Sequence, residues 1–352
     1  MKSILKNTIL ILLIASLPAT QLFAGNEDRS GQAGASELLI NPWARSAGWG
    51  LSSTASARGM ESSFMNIAGL AFTKKTEIVF SQTQWLKGTG INISAFGFSQ
   101  RVGEAGVLGL SVMSMSFGKI EKTTVDQPEG GFGTFSPSLM NIGISYARSF
   151  SNSIYGGVNI KIISESIDDV SASGIAIDAG IEYITGENDN IRFGISLKNV
   201  GSTLSFSGDG FSIRGLVSGS DNNLTIEQRS ADFELPSLLN IGAAYDFYLA
   251  KDKTHRLTVA GNYTSNSFTK DQYGIGLEYG LKNYLMLRAG YTYEDGLLDA
   301  ALRTNASSGI AAGLTVQIPL SKEKGSTFAI DYSYRSTSPF DGTHSIGARI
   351  NL

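Results

Sequence analysis

The 352-residue chain has no cysteine, only 7 prolines and 2 histidines, and a charged fraction of 17%. Each scarcity removes a class of protein. Without cysteine there are no disulfides, thiol nucleophiles or cysteine-built metal sites. The histidines, His255 and His344, lie far apart without an H-E-x-x-H spacing, so neither a metal site nor a general base is expected on them. No G-x-S-x-G elbow occurs. The stretch from Gly274 to Gly280, GIGLEYG, has dinucleotide-loop glycines but no helix to follow them. No enzyme and no cofactor is expected. A net charge of -3 gives no reason to expect nucleic acid. No internal run reaches the roughly 18 apolar residues of a membrane helix. Asp168-Asp169 and Asp221-Asn222-Asn223 offer oxygen ligands for calcium, or are simply solvated loop carboxylates.

The first 24 residues read as a secretory signal peptide. Lys2 and Lys6 precede a short apolar core, Ile9 to Leu17, which Pro18 ends, and Ala24 is a small residue before cleavage.

Glycine, by contrast, is abundant at 41. From Glu77 onward the dominant pattern has period two. In Tyr273 to Leu281, one face is Tyr273, Ile275, Leu277, Tyr279 and Leu281, and the other is Gly274, Gly276, Glu278 and Gly280. Alternation of this kind is the mark of strands. It predicts strands near 77–86, 90–101, 106–117, 138–149, 154–166, 174–185, 191–200, 235–247, 255–264, 271–281, 285–294, 309–318, 326–335 and 342–352. Within 106–117, Met113, Met115 and Phe117 fall out of phase with Leu108, Leu110 and Val112, which predicts a bulge. Most runs have the length a tilted strand needs to cross a bilayer.

Connections after even-numbered strands are tight, whereas those after odd-numbered strands include 118–137, 201–232 and 295–308. This is the habit of an up-and-down outer-membrane barrel, with an even strand number and both termini in the periplasm. The apolar faces carry almost no charge. The opposite faces carry Lys161, Asp178, Glu182, Arg192, Lys198, Asp246, Arg256, Glu278, Arg288, Asp331, Arg335 and Arg349. In a barrel facing lipid, the apolar face turns outward and these charges line the lumen, because backbone groups in hydrocarbon must all be paired. Tyr146, Tyr245, Tyr263 and Tyr334 suit interfacial girdles. The expected fold is an all-β, closed antiparallel transmembrane β-barrel of about fourteen strands over 77–352, with outer-membrane lipid as its surroundings.

One phrase occurs twice, Pro-Ser-Leu-x-Asn-Ile-Gly-x-x-Tyr, from Pro137 and from Pro236. Each copy opens a strand after a long loop, where proline is tolerated. Shared environment explains the repeat, with Ile142 and Ile241 facing lipid and Gly143 and Gly242 leaving room inside. Residues 25–76 are rich in small residues and weakly periodic, and are expected to fill the barrel as a hatch.

Ala44-Arg45-Ser46-Ala47-Gly48-Trp49-Gly50 resembles the opening motif of the PorV/PorQ family of outer-membrane proteins, which have a FadL-like fold. Asn66-Ile67-Ala68-Gly69-Leu70-Ala71 resembles their "NPAGLA". Trp49 replaces the family's usual Met, and Ile67 its proline. Across the mature chain, the resemblance implies a fourteen-stranded barrel with an N-terminal hatch whose motif residues are Ala44, Arg45, Gly48, Gly50, Asn66 and Gly69. It implies a role as an accessory in the type IX secretion system of Bacteroidetes, escorting secreted cargo proteins to surface attachment alongside secretion-system components. The alternative implied by the fold is a FadL-like channel for a hydrophobic ligand. A purely structural role is a third reading.

Two sets of residues bear on the choice. Phe132, Phe135, Phe206 and Phe211 lie in the long loops and either contact partners or cap the barrel mouth. The inward charges Asp178, Glu182, Glu278, Arg288, Asp331 and Arg335 are expected to pair across the lumen, which disfavours a greasy conduit. Arg45, a lone charge among small residues, is expected to pair with inward carboxylates and pin the hatch. The other reading of Arg45 is a solvated arginine.

Overall fold

The computed structural model describes residues 25–216, 222–282, 284–299, 301–321 and 325–352. The expected signal peptide and Asp221 lie outside the described residues.

Fourteen strands close on one another. They are β1 (Thr76–Gln84), β2 (Asn92–Val102), β3 (Gly106–Ser116), β4 (Ser138–Ser149), β5 (Ile154–Ile167), β6 (Val170–Thr185), β7 (Ile191–Gly201), β8 (Leu238–Tyr248), β9 (His255–Asn266), β10 (Gln272–Leu281), β11 (Leu285–Glu294), β12 (Ser307–Ser321), β13 (Ser326–Thr337) and β14 (Thr343–Asn351). Each pairs with its chain neighbours, and β14 pairs antiparallel with β1, which leaves no sheet edge. β6 begins at Val170 and β12 extends over Ser307–Ser321, both longer than the alternation indicates.

The outer face is a continuous apolar band. Ile160, Ile175, Ile181, Ile195, Ile241, Leu277, Ile310, Ile330 and Ile346 all have exposed side chains, while Asp178, Glu182, Glu278, Arg288 and Asp331 are buried inside. A water-soluble surface does not carry so large an apolar area. Hydrocarbon satisfies it, and the closed ladder satisfies the backbone.

The bulge expected in β3 is absent. β3 pairs with β2 and with β4 without a register shift. Met113 and Met115 are out of phase with Leu108 and Leu110 because the inner face is itself apolar here: they pack on Ile93, with Ile40 and Trp85 against them.

One end of the barrel carries the tight connections 103–105, 150–153, 186–190, 249–254, 282–284 and 322–325. The other, long-loop end carries 117–137, 202–237 and 295–306, together with the tight hairpin at 168–169. Two of its loops contain small hairpins, Ile120–Glu121 with Thr134–Phe135 and Ser212–Leu216 with Asn223–Glu227.

Residues 25–75 fill the lumen with short turns of helix, among them Ser36–Leu39, Ala44–Ala47, Gly59–Glu61, Ser62–Met65 and Ile67–Phe72. Trp43, Met60, Met65, Ile67 and Leu70 form their core with Val79, Ala95, Val107 and Ala147 of the wall. The inward glycines are where this segment touches the wall. A Cβ on Gly290 would lie 2.3 Å from the Trp49 carbonyl oxygen, one on Gly180 2.1 Å from Asn66 Oδ1, and one on Gly313 3.0 Å from Gly48 Cα. The segment starts at the long-loop end, where Arg29 pairs with Glu234 at 2.5 Å and covers the Phe268 ring at 4.2 Å.

Candidate ligand cavity inside the barrel

A cavity of ≈ 400 Å³ lies between the N-terminal segment and the long-loop ends of β7 to β14. Leu39, Ile40, Leu51, Phe64 and Met65 of the segment face Trp85, Leu238 and Leu297 of the wall and loops. Its lining is mainly apolar, with hydroxyl and amide groups from Asn240, Thr264, Asn266 and Thr292.

Lys198 enters this cavity through a defect in the sheet. Ile177 pairs with Val200 and Ala179 with Leu197, so Asp178 opposes two residues, Lys198 and Asn199. Asn199 takes a left-handed φ of 58°. Strict alternation would send one of the two into lipid; the bulge turns both inward, where both are buried. Asp178 is already engaged: Lys161 Nζ lies 2.7 Å from it, and the Asn199 backbone N–H donates to it at 2.7 Å. Lys198 therefore has no carboxylate within 4 Å among the described residues, and its Nζ sits 3.7 Å from the Phe64 ring centroid.

Arg335, the cavity's second cation, also lacks a carboxylate. It lies over the Trp85 ring at 5.2 Å, and its Nε and one Nη have no hydrogen-bond partner. The expectation that Arg335 pairs across the lumen is corrected: among the described residues it forms no ion pair, and its guanidinium lies over Trp85 instead. Glu294, the cavity's carboxylate, accepts instead from neutral donors, Gln272 at 2.7 Å and Asn305 at 3.1 Å, and from Thr304.

The other inward charges do pair, nearer the short-turn end. Arg58 makes a two-pronged bond to Glu182 at 2.6 and 2.8 Å. Arg192 pairs with Asp246 at 2.7 Å, Arg256 and Arg288 both hold Glu278, at 2.5 and 2.6 Å, and Arg349 lies 3.7 Å from Asp331. Arg45 does not take the expected role, for among the described residues it has no carboxylate within 4 Å. The turn Ala44–Ala47 packs against β12, β13 and β14, where Arg349 of β14 and Arg288 of the adjoining β11 approach it, whereas Arg58 faces β6 and Glu182. Burial and then those two arginines lower the Arg45 pKa to about 10, so it stays charged at neutral pH. Burial, then the nearby Asp331, pushes the Glu61 carboxyl up to about 7. Burial and Glu165 do the same to Glu37, also to about 7.

The motif residues have separate structural uses. Asn66 caps Ile67–Phe72 by accepting from Ala68 N at 3.2 Å, and donates to the carbonyls of Thr54 and Ile181, each at 3.1 Å. Gly48 and Gly69 pass against backbone with no room for a Cβ, Gly50 has a φ of 63°, and Ala44 is buried. The loop phenylalanines are not gathered on one surface. Phe206 packs on Phe233 over the buried Leu38, Ile163, Leu204 and Leu235, whereas Phe132 is exposed. Phe135 ends a two-residue strand and Phe211 a short helical turn. Both histidines bond tyrosine hydroxyls, His255 with Tyr279 at 2.7 Å and His344 with Tyr332 at 2.8 Å. The residues missed by sequence reasoning were Phe64, Trp85 and Leu238. Their one available signal was that Met113 and Met115 break phase, which marks an apolar inner wall.

Neither a protein-family model nor a curated protein matches the chain. Solved structures do. The toluene transporter TodX of Pseudomonas putida aligns with a TM-score of 0.55 at 13% identity, over 88% of this chain and 96% of that one. The CymD monoaromatic hydrocarbon channel aligns at 0.52 and 13% identity, over 89% and 97%. The toluene transporter TbuX of Ralstonia pickettii aligns at 0.50 and 13%, over 86% and 97%. These relatives lend no support to the PorV/PorQ resemblance. At such identity they establish the fold: a closed, fourteen-stranded antiparallel barrel of the architecture that these hydrocarbon channels have.

Proposed function

We propose that the protein is an outer-membrane conduit for a hydrophobic small molecule, which it first binds in the cavity at the long-loop end. The observation that carries this reading is the cavity itself: ≈ 400 Å³ of mainly apolar space inside the barrel. That volume lies in the range of small-molecule sites, about 300–1,000 Å³. The similar solved structures, named as toluene transporters and a monoaromatic hydrocarbon channel, support the class of ligand. Lys198 and Arg335, cations without carboxylate partners, favour a ligand with an acidic group on its apolar body. In this reading residues 1–24 direct export, the C-terminus faces the periplasm, and residues 25–75 act as the hatch that must shift for passage; the expected periplasmic N-terminus does not fit the described chain, whose Gly25 lies against Thr269 and Asp271 at the long-loop end. The protein performs no catalysis. The escort role in protein secretion rests on the motif resemblance alone.

Trp85 lines the cavity and reports on it. A bromoalkyl carboxylate or a bromotoluene should quench wild-type fluorescence saturably, and Trp85→Phe should lose most of that signal. Leu238→Trp, which fills the cavity, should abolish binding. No saturable quenching by either probe refutes the reading. A strain lacking the protein should fail to take up a hydrophobic nutrient while attaching its surface proteins normally; the reverse outcome restores the escort role.

A further inference from the structure

A second cavity, of ≈ 130 Å³, lies between the hatch and the wall toward the short-turn end. Arg45, Ser53, Ser56 and Arg58 line it from the hatch side, and Arg192 and Arg256 from the wall. Its chemistry is the opposite of the large cavity's: it is polar, with four arginines and several hydroxyls set against two lining carboxylates, Glu61 and Glu278. The carboxylates around it are already engaged. Glu182 holds Arg58, Asp246 holds Arg192, Glu278 holds Arg256 and Arg288, and Glu61 accepts from the Ser46 backbone N–H at 2.9 Å. Arg45 is left over, with no hydrogen bond and no carboxylate within 4 Å among the described residues. Around it, Arg192 Nε, Arg256 Nε and the hydroxyls of Ser53 and Ser56 also lack partners.

Buried donors without acceptors are costly, and a charged one most of all. Water could fill the space, since it holds about four molecules at liquid volume. Water, however, brings as many donors as acceptors and no charge. A small oxyanion brings acceptors only, together with a negative charge in direct contact with Arg45, which Glu278 and Glu61 reach only from beyond ion-pair distance, and a planar guanidinium matches such groups well. We propose that this cavity binds a small oxyanion, phosphate or carboxylate, held by Arg45 and the serine hydroxyls. The bound anion bridges hatch and wall and so steadies the hatch. The site is separate from the large cavity and independent of what that cavity takes.

The test titrates inorganic phosphate and acetate into the purified barrel in detergent, each replacing chloride at constant ionic strength. Hydrogen exchange is followed over residues 44–61. One or both anions should protect this stretch saturably. Arg45→Gln should weaken half-saturation at least about tenfold, and Arg45→Lys should retain most of it. Protection by phosphate alone assigns phosphate; protection by acetate as well assigns a carboxylate end. Equal protection in chloride, or an unchanged half-saturation in Arg45→Gln, overturns the proposal. If Arg45→Gln does not assemble, the Ser53→Ala, Ser56→Ala double variant takes its place, with a severalfold weakening expected and no weakening counting against the site.

Discussion

Removing Arg58 should release the N-terminal segment, the proposed hatch, while leaving the barrel standing. The Arg58 guanidinium grips Glu182 through two bonds, at 2.6 and 2.8 Å, and lies on the Phe72 ring at 4.0 Å. The Glu182 side chain is 0% exposed and that of Arg58 20%. Arg58→Ala therefore strands a fully buried carboxylate, a change that costs about 3–5 kcal/mol. That energy falls on one contact between two bodies, and the strands of the wall keep their ladders. The hatch-open population should rise by roughly two to three and a half powers of ten. Hydrogen exchange should quicken across residues 52–72 and stay slow in β5 to β7. Glu182→Gln should cost less, because the arginine it frees already reaches solvent. Arg58→Leu with Glu182→Leu should recover much of the loss, since neither partner is then left charged and buried. Unchanged exchange in Arg58→Ala, or equal loss of protection in the wall strands, refutes the reasoning.

Three further outcomes follow from the same geometry. Leu277→Arg, on the lipid face, should destabilise the barrel by about 2–4 kcal/mol if it lies near the midplane, as read by urea unfolding from lipid bilayers; no change would place Leu277 off that face. Gly290→Val adds a Cβ 2.3 Å from the Trp49 carbonyl oxygen, an overpacking of about 1–3 kcal/mol, so protease should cut residues 25–75 more readily; an unchanged pattern would contradict the close approach. Glu37, faced by Glu165 and Asn141, and Glu61, faced by Asp331, Arg349, Arg45 and Glu77, both have carboxyl pKa values of about 7 against 4.5 when unfolded. The folded hatch thus binds more protons than the unfolded one between those values, so its stability is full below about pH 4.5 and is lost as pH rises through about 7. Exchange in the hatch, corrected for intrinsic rate, should be faster at about pH 8.5 than at about pH 6, and the opposite order would refute the assignment.

Much of the fold can be read from the chain because alternation is a local property. Each of the fourteen runs declares its own two faces, and the solvent that each face needs decides which is outside. Tyr273 to Leu281 suffices to show this: a row of large apolar groups opposes glycines and one glutamate. The repeated Pro-Ser-Leu-x-Asn-Ile-Gly phrase is legible for the same reason, since both copies open strands beside long loops. Where the local rule fails, it fails because an inner face is not polar. Met113 and Met115 mimic a bulge because their inner face packs on Ile93, Ile40 and Trp85, and the real bulge, at Lys198 and Asn199, shows only in Val200, which falls out of phase with Ile195 and Leu197.

From the sequence alone come the barrel, its strand number, its outward face, the inward charges and the small-residue segment that precedes them, all properties of residues within a few positions of one another. The tertiary structure alone decides which charges find partners. Arg58 reaches Glu182 across 124 positions, Arg45 reaches no carboxylate, and Lys198 and Arg335 face an apolar cavity unpaired. Those distances depend on the register of strands far apart in sequence, on one bulge, and on how the hatch lies against the inward glycines. No stretch of chain a few residues long contains that information.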